Sequence, residues 1–389
     1  MSYRVQTLNA ISQLGLDRLP AAAYEVGDNV SDPDGILLRS ADLHGVDLPA
    51  SVKAVARAGA GTNNIPVAAL SARGVVVFNT PGANANAVKE LVIAGILLAA
   101  RNIVPAAAFA SSLAGTDAEI NVAVEKGKKG FVGFELPNRT LGVIGLGAIG
   151  VQVANAAMGL NMRVLGYDPA ISIRHAWQLW AAATQAGSLD ELFAGSDVVT
   201  VHVPLVEATK HLVNAERLAL MKPGGVLLNF ARAGIVDEAA VLAALDSGRL
   251  HAYVCDFPSN ALKAHPRVIA LPHLGASTAE AEDNCAVMAA EQLKAYLQSG
   301  EITNSVNFPE AKLRRAPGTT RVAITNSNVP NMVGQISTLL AEHGLNIADL
   351  LNTSRGEYAY TLIDVEGAVG DGLVDAIRAI GGVLTVRVL

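Results

Sequence analysis

The sequence predicts an α/β protein with two doubly wound parallel sheets and a C-terminal βαββαβ unit. Three observations predict it. Short apolar runs bounded by turn residues alternate with helical patterns from Gly35 to Gly275; the stretch LGVIGLGAIG, Leu141 to Gly150, holds an apolar strand, a glycine-rich turn and a helix start; residues 321–389 read strand, helix, two strands, helix, strand.

The elements follow in order. GILLRS, VKAVARAG and GVVVFNTP are short apolar strands of a first sheet that ends near Thr80. LVIAGILLAA, Leu91 to Ala100, is the longest apolar run, half of the roughly 20 residues a bilayer requires, and reads as a buried helix between domains or at a subunit contact. After the glycine turn come RVLGYD, DVVTVHVPL, GGVLLNFA, HAYVCDF and VIALPHLG, with helical patterns such as EAAVLAALDSG between them. A helix from Ala276 to Ser299 returns the chain to the first sheet, and Ala311 to Thr319 reads as a linker. RVAIT, MVGQISTLLAEHG, IADLLNTSR, YAYTLIDVEG, LVDAIRAIG and VLTVRVL then give the ferredoxin-like unit. The expected domains are 1–95 with 277–308, 96–276 inserted between those parts, and 319–389.

The glycine turn carries the first chemistry. Gly145 permits the tight turn, Gly147 lets backbone approach a pyrophosphate, and Gly150 lets the helix pack closely on the strand. Asp168 ends the next strand, 18 residues beyond Gly150, near the roughly 20 at which a ribose-binding carboxylate falls. Such an acid accepts from ribose hydroxyls and repels a 2′-phosphate, so NAD is expected over NADP. In an open α/β sheet ligands bind beyond the carboxyl ends of the strands, which makes Asp168, His202, Arg232, Asp256 and His273 candidates for one cleft.

Composition bounds the rest. Among 389 residues 51% are hydrophobic and the net charge is −6, with mean hydropathy +0.35. The absence of a basic block argues against nucleic acid, and the N-terminal MSYRVQTLNAIS lacks the apolar core of a secretion signal, so a cytoplasmic protein without membrane attachment is expected. Cys255 and Cys285, the two cysteines, form neither a disulfide framework nor a metal site; both read as buried packing residues.

Arg232, in NFARAGIVDEAAV, lies between a strand end and a helix cap near Asp237, where a guanidinium can grip a carboxylate with two hydrogen bonds. His273, in ALPHLGAST, also follows a strand; an imidazole there suits proton exchange with a substrate hydroxyl. GLGAIG, YDP, HVPL, NFARAGIVDE and LPHLGAST together resemble the D-2-hydroxyacid dehydrogenase family, and ARAGAGTNNIP with NTPGANANAVKE resembles its 3-phosphoglycerate dehydrogenase branch. The tail resembles an ACT domain. The likeness covers about Gly35 to Leu389.

That resemblance implies a flavodoxin-like substrate domain, a Rossmann NAD domain and a C-terminal ACT domain, and oxidation of 3-phospho-D-glycerate to 3-phosphohydroxypyruvate at the start of serine synthesis. His273 would take the hydroxyl proton, while Arg232 would bind the carboxylate and stabilise charge on the C2 oxygen. Arg57, Ala60, Gly61 and Asn84 would line the substrate, with Arg57 on the phosphate and Arg39, Lys128 and Lys129 as further cations. Gly145, Gly147, Ala148, Ile149, Gly150, Asp168, Val203, Phe230, Ala231, Arg232, Asp256, His273, Leu274, Gly275, Ala276 and Thr80 would surround NAD. A homodimer or homotetramer is implied, with closure of the cleft excluding water. A glyoxylate or hydroxypyruvate reductase of the same family, and a non-catalytic NAD-sensing protein, are the alternatives.

Two departures stand out. The family carries a glutamate paired with the catalytic histidine, whereas DFPSNALKAHP has no acid between Asp256 and His273 and places Asn260 at about that position. An asparagine orients an imidazole but supplies no charge. Glu280 and Glu282 lie near in sequence without being assigned as replacements. In the tail, NSNVPNM replaces a histidine-containing turn and Asn331 stands where glycine is common; Asn326, Asn328 and Asn346 are expected to hold an amino-acid effector, L-serine, or else the unit serves assembly alone.

Overall fold

Unbroken apolar runs such as GILL and VVF suit strands covered on both faces, and both are buried throughout. The computed structural model describes residues 2–389. Its first sheet comprises β1 (Tyr3–Leu8), β2 (Tyr24–Gly27), β3 (Gly35–Leu38), β4 (Ala54–Arg57) and β5 (Val76–Phe78), all parallel in the order β2-β1-β3-β4-β5, which is the flavodoxin-like order. The second comprises β6 (Thr140–Ile144), β7 (Arg163–Tyr167), β8 (Thr184–Gln185), β9 (Val198–Val201), β10 (Gly225–Asn229), β11 (Leu250–Cys255) and β12 (Val268–Ala270). These are parallel in the order β12-β11-β10-β9-β6-β7-β8. Strand order reverses between β6 and β9, the Rossmann-type switch at which a crevice opens beyond the strand ends.

The chain forms two units, one running up to Ala83 and resuming over Ala279–Leu389, the other spanning Asn84–Thr278. The apolar run beginning at Leu91 lies in the second unit, in helix Ala85–Ala100, where Val92, Ile96 and Ala99 share a core with Val143 and Leu228. Gly95 packs closely there: a Cβ would stand 3.0 Å from Leu228 Cδ2 and 3.3 Å from the Phe230 ring. Among the described residues no single helix is long and apolar enough to cross a membrane.

In the first unit, β13 (Thr319–Ser327), β14 (Asn346–Arg355), β15 (Tyr358–Glu366) and β16 (Val383–Val388) form an antiparallel sheet ordered β14-β15-β13-β16. With helices Met332–Glu342 and Asp371–Arg378 this is the βαββαβ pattern read from the sequence. Alternation along the strands gives the sheet two buried faces. Val322, Ile324, Ile363 and Val365 pack on its own helices, while Ala323, Tyr360 and Leu362 join a core with Phe78, Leu293 and Tyr296.

That second face grips the end of the long helix Ala279–Ser299. Arg387 Nη2 donates to the carbonyls of Tyr296 (3.0 Å) and Leu297 (2.8 Å), Arg321 Nη1 to Ser299 (3.1 Å), and the Tyr360 hydroxyl to Gly300 (2.7 Å). Carbonyls of the last helical turn thereby receive guanidinium donors whose charge matches the helix dipole, and the Gly300 carbonyl just beyond it receives a neutral hydroxyl. Arg321 also makes a bidentate pair with Asp364 at 2.6 and 2.7 Å, and neither side chain is exposed to solvent.

Candidate active site

In the second unit, β6 runs into the glycine turn and helix Ala148–Gly159. The three glycines serve three different needs. Gly145 has φ +90°, and a Cβ on it would stand 2.7 Å from the His202 carbonyl oxygen; a Cβ on Gly150 would collide with the Gly145 carbonyl; one on Gly147 would meet nothing within 4 Å. Gly147 is also the helix N-cap and provides no side-chain cap, so the first-turn N–H groups, Ala148 and Ile149 among them, are left for an anion. A pyrophosphate fits this turn on both counts.

Asp168 is built into the same turn. Its Oδ2 accepts from Leu146 N at 2.8 Å and its Oδ1 from Ala170 N at 2.9 Å, leaving acceptor capacity on both oxygens for ribose hydroxyls. Val203 borders the turn, its Cγ1 2.9 Å from where a Gly145 Cβ would stand. His202, hydrogen-bonded through Nε2 to Thr200 Oγ1 at 3.0 Å, is desolvated so that its pKa is pushed down to about 3; it is neutral and contributes no charge to the site.

Arg232 follows β10 and is exposed. Its loop is held by a residue the sequence reading passed over, the buried Asn229, whose Oδ1 accepts from Ala231 N (3.1 Å) and whose Nδ2 donates to the Arg232 carbonyl (2.9 Å). Arg232 Nη1 donates to the Ala231 carbonyl at 2.7 Å. Asp237 caps the following helix by accepting from Ala240 N at 3.1 Å. Phe230 is buried, its ring packed close to Gly95.

His273 lies beyond β12 in a left-handed conformation, φ +56°, that non-glycine residues adopt only where the surroundings fix it. Asp256 fixes it. This carboxylate, 1% exposed, accepts from Leu274 N at 2.9 Å and Gly275 N at 2.8 Å, so it clamps the segment carrying the histidine. Gly275 leaves room for the clamp, since a Cβ there would stand 3.2 Å from Asp256 Oδ2. Asp256 N donates to the Asn229 carbonyl at 3.3 Å, tying the Arg232 and His273 supports together through neighbouring strands. Ala276 is half-buried in the turn that follows.

The expected carboxylate partner for the imidazole is missing. Among the described residues no Asp or Glu oxygen lies within 4.0 Å of a His273 ring nitrogen, Asn260 is exposed, and the ring instead meets Phe257 edge-on at 5.2 Å and 63°. Glu238, at the start of the helix capped by Asp237, accepts from Ser259 Oγ at 2.8 Å and so secures the loop that carries Asn260. Asn84, the N-cap of helix Ala85–Ala100, makes no cap hydrogen bond with its side chain.

The first unit holds the remaining candidates. Arg57 closes β4; its Nε donates to the Arg39 carbonyl at 2.9 Å and its Nη1 to the Gly61 carbonyl, so two of its five N–H groups shape the loop that includes Ala60 and Gly61. Ala60 accepts from Asn79 Nδ2 at 2.6 Å. Thr80 is fully buried, its N–H on the Gly59 carbonyl (3.1 Å) and its hydroxyl against Cys285. Arg39 pairs with Glu282 at 2.7 Å and Lys128 with Glu125, while Lys129 is exposed.

In the C-terminal sheet, Asn326 and Asn328 line one cavity of about 240 Å³ together with Asn331, Met332 and Asn352. Asn346 is not in that lining; its Nδ2 donates to Glu366 at 3.0 Å. Asn326 is fully buried, and its Oδ1 has no hydrogen-bond partner among the described residues. No group of His, Cys, Asp and Glu among the described residues is arranged to hold a metal.

Comparison with known proteins agrees with this geometry. Residues 94–275 match the family described as D-isomer specific 2-hydroxyacid dehydrogenase, NAD binding domain. The D-3-phosphoglycerate dehydrogenase of Haemophilus influenzae is 33% identical over 97% of this chain and 95% of its own length, and that of Escherichia coli is 34% identical over 85% and 79%. A longer relative of the same name from Synechocystis is 35% identical over 79% of this chain and 56% of its own. Among solved structures, NAD⁺-bound 3-phosphoglycerate dehydrogenase of Entamoeba histolytica covers 78% of this chain and 99% of its own with a TM-score of 0.61 and 26% identity. The chain belongs to the D-2-hydroxyacid dehydrogenase family, alongside its D-3-phosphoglycerate dehydrogenases.

Proposed function

We propose that the protein oxidises 3-phospho-D-glycerate to 3-phosphohydroxypyruvate with NAD as hydride acceptor. The observation that carries the reading is the pairing of an uncapped glycine turn and its Asp168 with two separately supported loops, Arg232 on Asn229 and His273 on Asp256. NAD, bound at the turn, supplies the oxidant. Arg232 holds the substrate carboxylate with two parallel hydrogen bonds and stabilises negative charge growing on the C2 oxygen. His273 receives the hydroxyl proton as general base. Arg57, with Arg39 beside it, takes the phosphate. Asp168 selects NAD by accepting from the ribose and repelling a 2′-phosphate. Formation of NADH on adding 3-phosphoglycerate, followed by absorbance, tests the reading; a rate seen only in reduction of glyoxylate or hydroxypyruvate transfers the enzyme to that reductase class, and no turnover with any of them leaves an NAD sensor.

The C-terminal sheet is read as an ACT domain and its asparagine cavity as the seat of L-serine. The unsatisfied Asn326 Oδ1 supports this, since a buried acceptor without a donor costs roughly 1–3 kcal/mol and an ammonium group would supply the donor. Millimolar serine is expected to lower the initial rate, and Asn326→Ala to abolish the effect; an initial rate indifferent to serine leaves the unit with assembly alone.

Helices Ile103–Ser112 and Asp117–Gly127 bury none of their residues, though Ile103, Val104, Val122 and Val124 are apolar. A second copy of the chain is the proposed cover. Light scattering is expected to give a mass of two or four chains, and a single-chain mass at micromolar concentration refutes it.

A further inference from the structure

Two guanidinium groups leave adjacent strand ends in the first unit. Arg39 directly follows β3 and Arg57 ends β4, in a register that pairs Leu38 with Arg57. Glu282, in the first turn of helix Ala279–Ser299, reaches Arg39: Oε1 lies 2.7 Å from Nη2, with the two side chains 44% and 41% exposed. Cys285, one turn further along that helix, reports how closely the charges gather. Burial pushes its thiol up, Thr80, Arg39 and Arg57 pull it down, and Glu282 adds to the rise, so all three ionic side chains act on one point.

Two arginines at neighbouring strand ends offer an anion positive charge, and Glu282, paired with Arg39, offsets part of it. We propose that Glu282 is a specificity-determining residue of this site, occupying Arg39 until a phosphate displaces it and moderating the preference for phosphorylated over unphosphorylated 2-hydroxy acids. The inference rests on assigning substrate phosphate to Arg57 and Arg39. A half-exposed ion pair is weak, so a dianion able to take two hydrogen bonds from the guanidinium replaces the carboxylate. The displaced carboxylate stays on the helix turn beside the phosphate and repels it. The helix dipole favours a negative charge in the first turn, where Glu282 stands.

The test compares kcat/KM for 3-phosphoglycerate and for D-glycerate in wild type and in Glu282→Gln at fixed ionic strength. The ratio of the two values is expected to rise about fivefold or more in Glu282→Gln and to stay near wild type in Glu282→Asp. A purely structural tie between β3 and the helix would lower the melting temperature without moving the ratio, so a ratio within twofold of wild type overturns the proposal. Calorimetric titration with inorganic phosphate reads the same site without turnover: Glu282→Gln is expected to bind about threefold tighter or more, and equal or weaker binding also overturns it. Tighter phosphate binding in a protein that forms no NADH from 3-phosphoglycerate would uphold Glu282 while removing the proposed substrate.

Discussion

His273 and His202 differ in what surrounds them: one is exposed beside Phe257, the other desolvated beside Thr200. His202 is desolvated and neutral, with its pKa near 3. An unfolded histidine titrates near 6.5, so between about pH 3 and 6.5 the unfolded chain binds the extra proton and stability rises with pH. His202→Gln is expected to flatten that rise in denaturation midpoints measured from pH 4 to 7; an unchanged slope would show that His202 is not buried neutral. His273 is exposed, held in a left-handed conformation by neighbours that hydrogen-bond the backbone around it, with Phe257 against its ring. Which residues face the strand ends was legible in the sequence, because glycine, proline and polar residues gather there. Their supports were not: Asn229 ends an apolar strand and Asp256 is a lone acid, and both spend their side chains on backbone groups of loops distant enough in sequence or irregular enough that no spacing encodes the contact.

The glycine turn was the most legible element, since each glycine answers a separate steric demand that a spacing can encode. β1 and β2 escaped the sequence reading because most of their residues are only partly buried and their apolar pattern is broken by Arg4, Gln6 and Glu25. The opposite failure concerns Arg321 and Asp364, charged residues that composition assigns to the surface but that lie fully buried on paired strands. A buried ion pair is weak evidence of stability, yet breaking one strands a charge at about 3–5 kcal/mol. Asp364→Ala is therefore expected to lower unfolding free energy by about that amount, and Arg321→Met with Asp364→Leu to recover most of it; a single variant within 1 kcal/mol of wild type would mean the pair is solvated.

At the level of the whole chain, strand alternation revealed two parallel sheets and a terminal βαββαβ unit, and the order of strands in each sheet follows rules the sequence does not state outright. Proline, arginine and glycine around Ala311 to Thr319 read as a linker ahead of a compact unit. The C-terminal sheet shares a core with β5 and the long helix and satisfies that helix's last carbonyls, because alternate residues of β13 and β15 are apolar on both faces. Periodicity of two shows that a strand has two buried faces but not what covers the second. The same helix ends against the cavity-bearing sheet.

The central proposal is that Arg232 binds 3-phosphoglycerate and His273 takes its hydroxyl proton while the C2 hydride passes to NAD, and steady-state NADH formation tests it most directly. Wild-type protein is expected to turn over, with His273→Gln losing about 10²–10⁴-fold in kcat while NADH binding, followed by fluorescence, stays within about twofold. Turnover by His273→Gln at the wild-type rate, or none by the wild type, would contradict it.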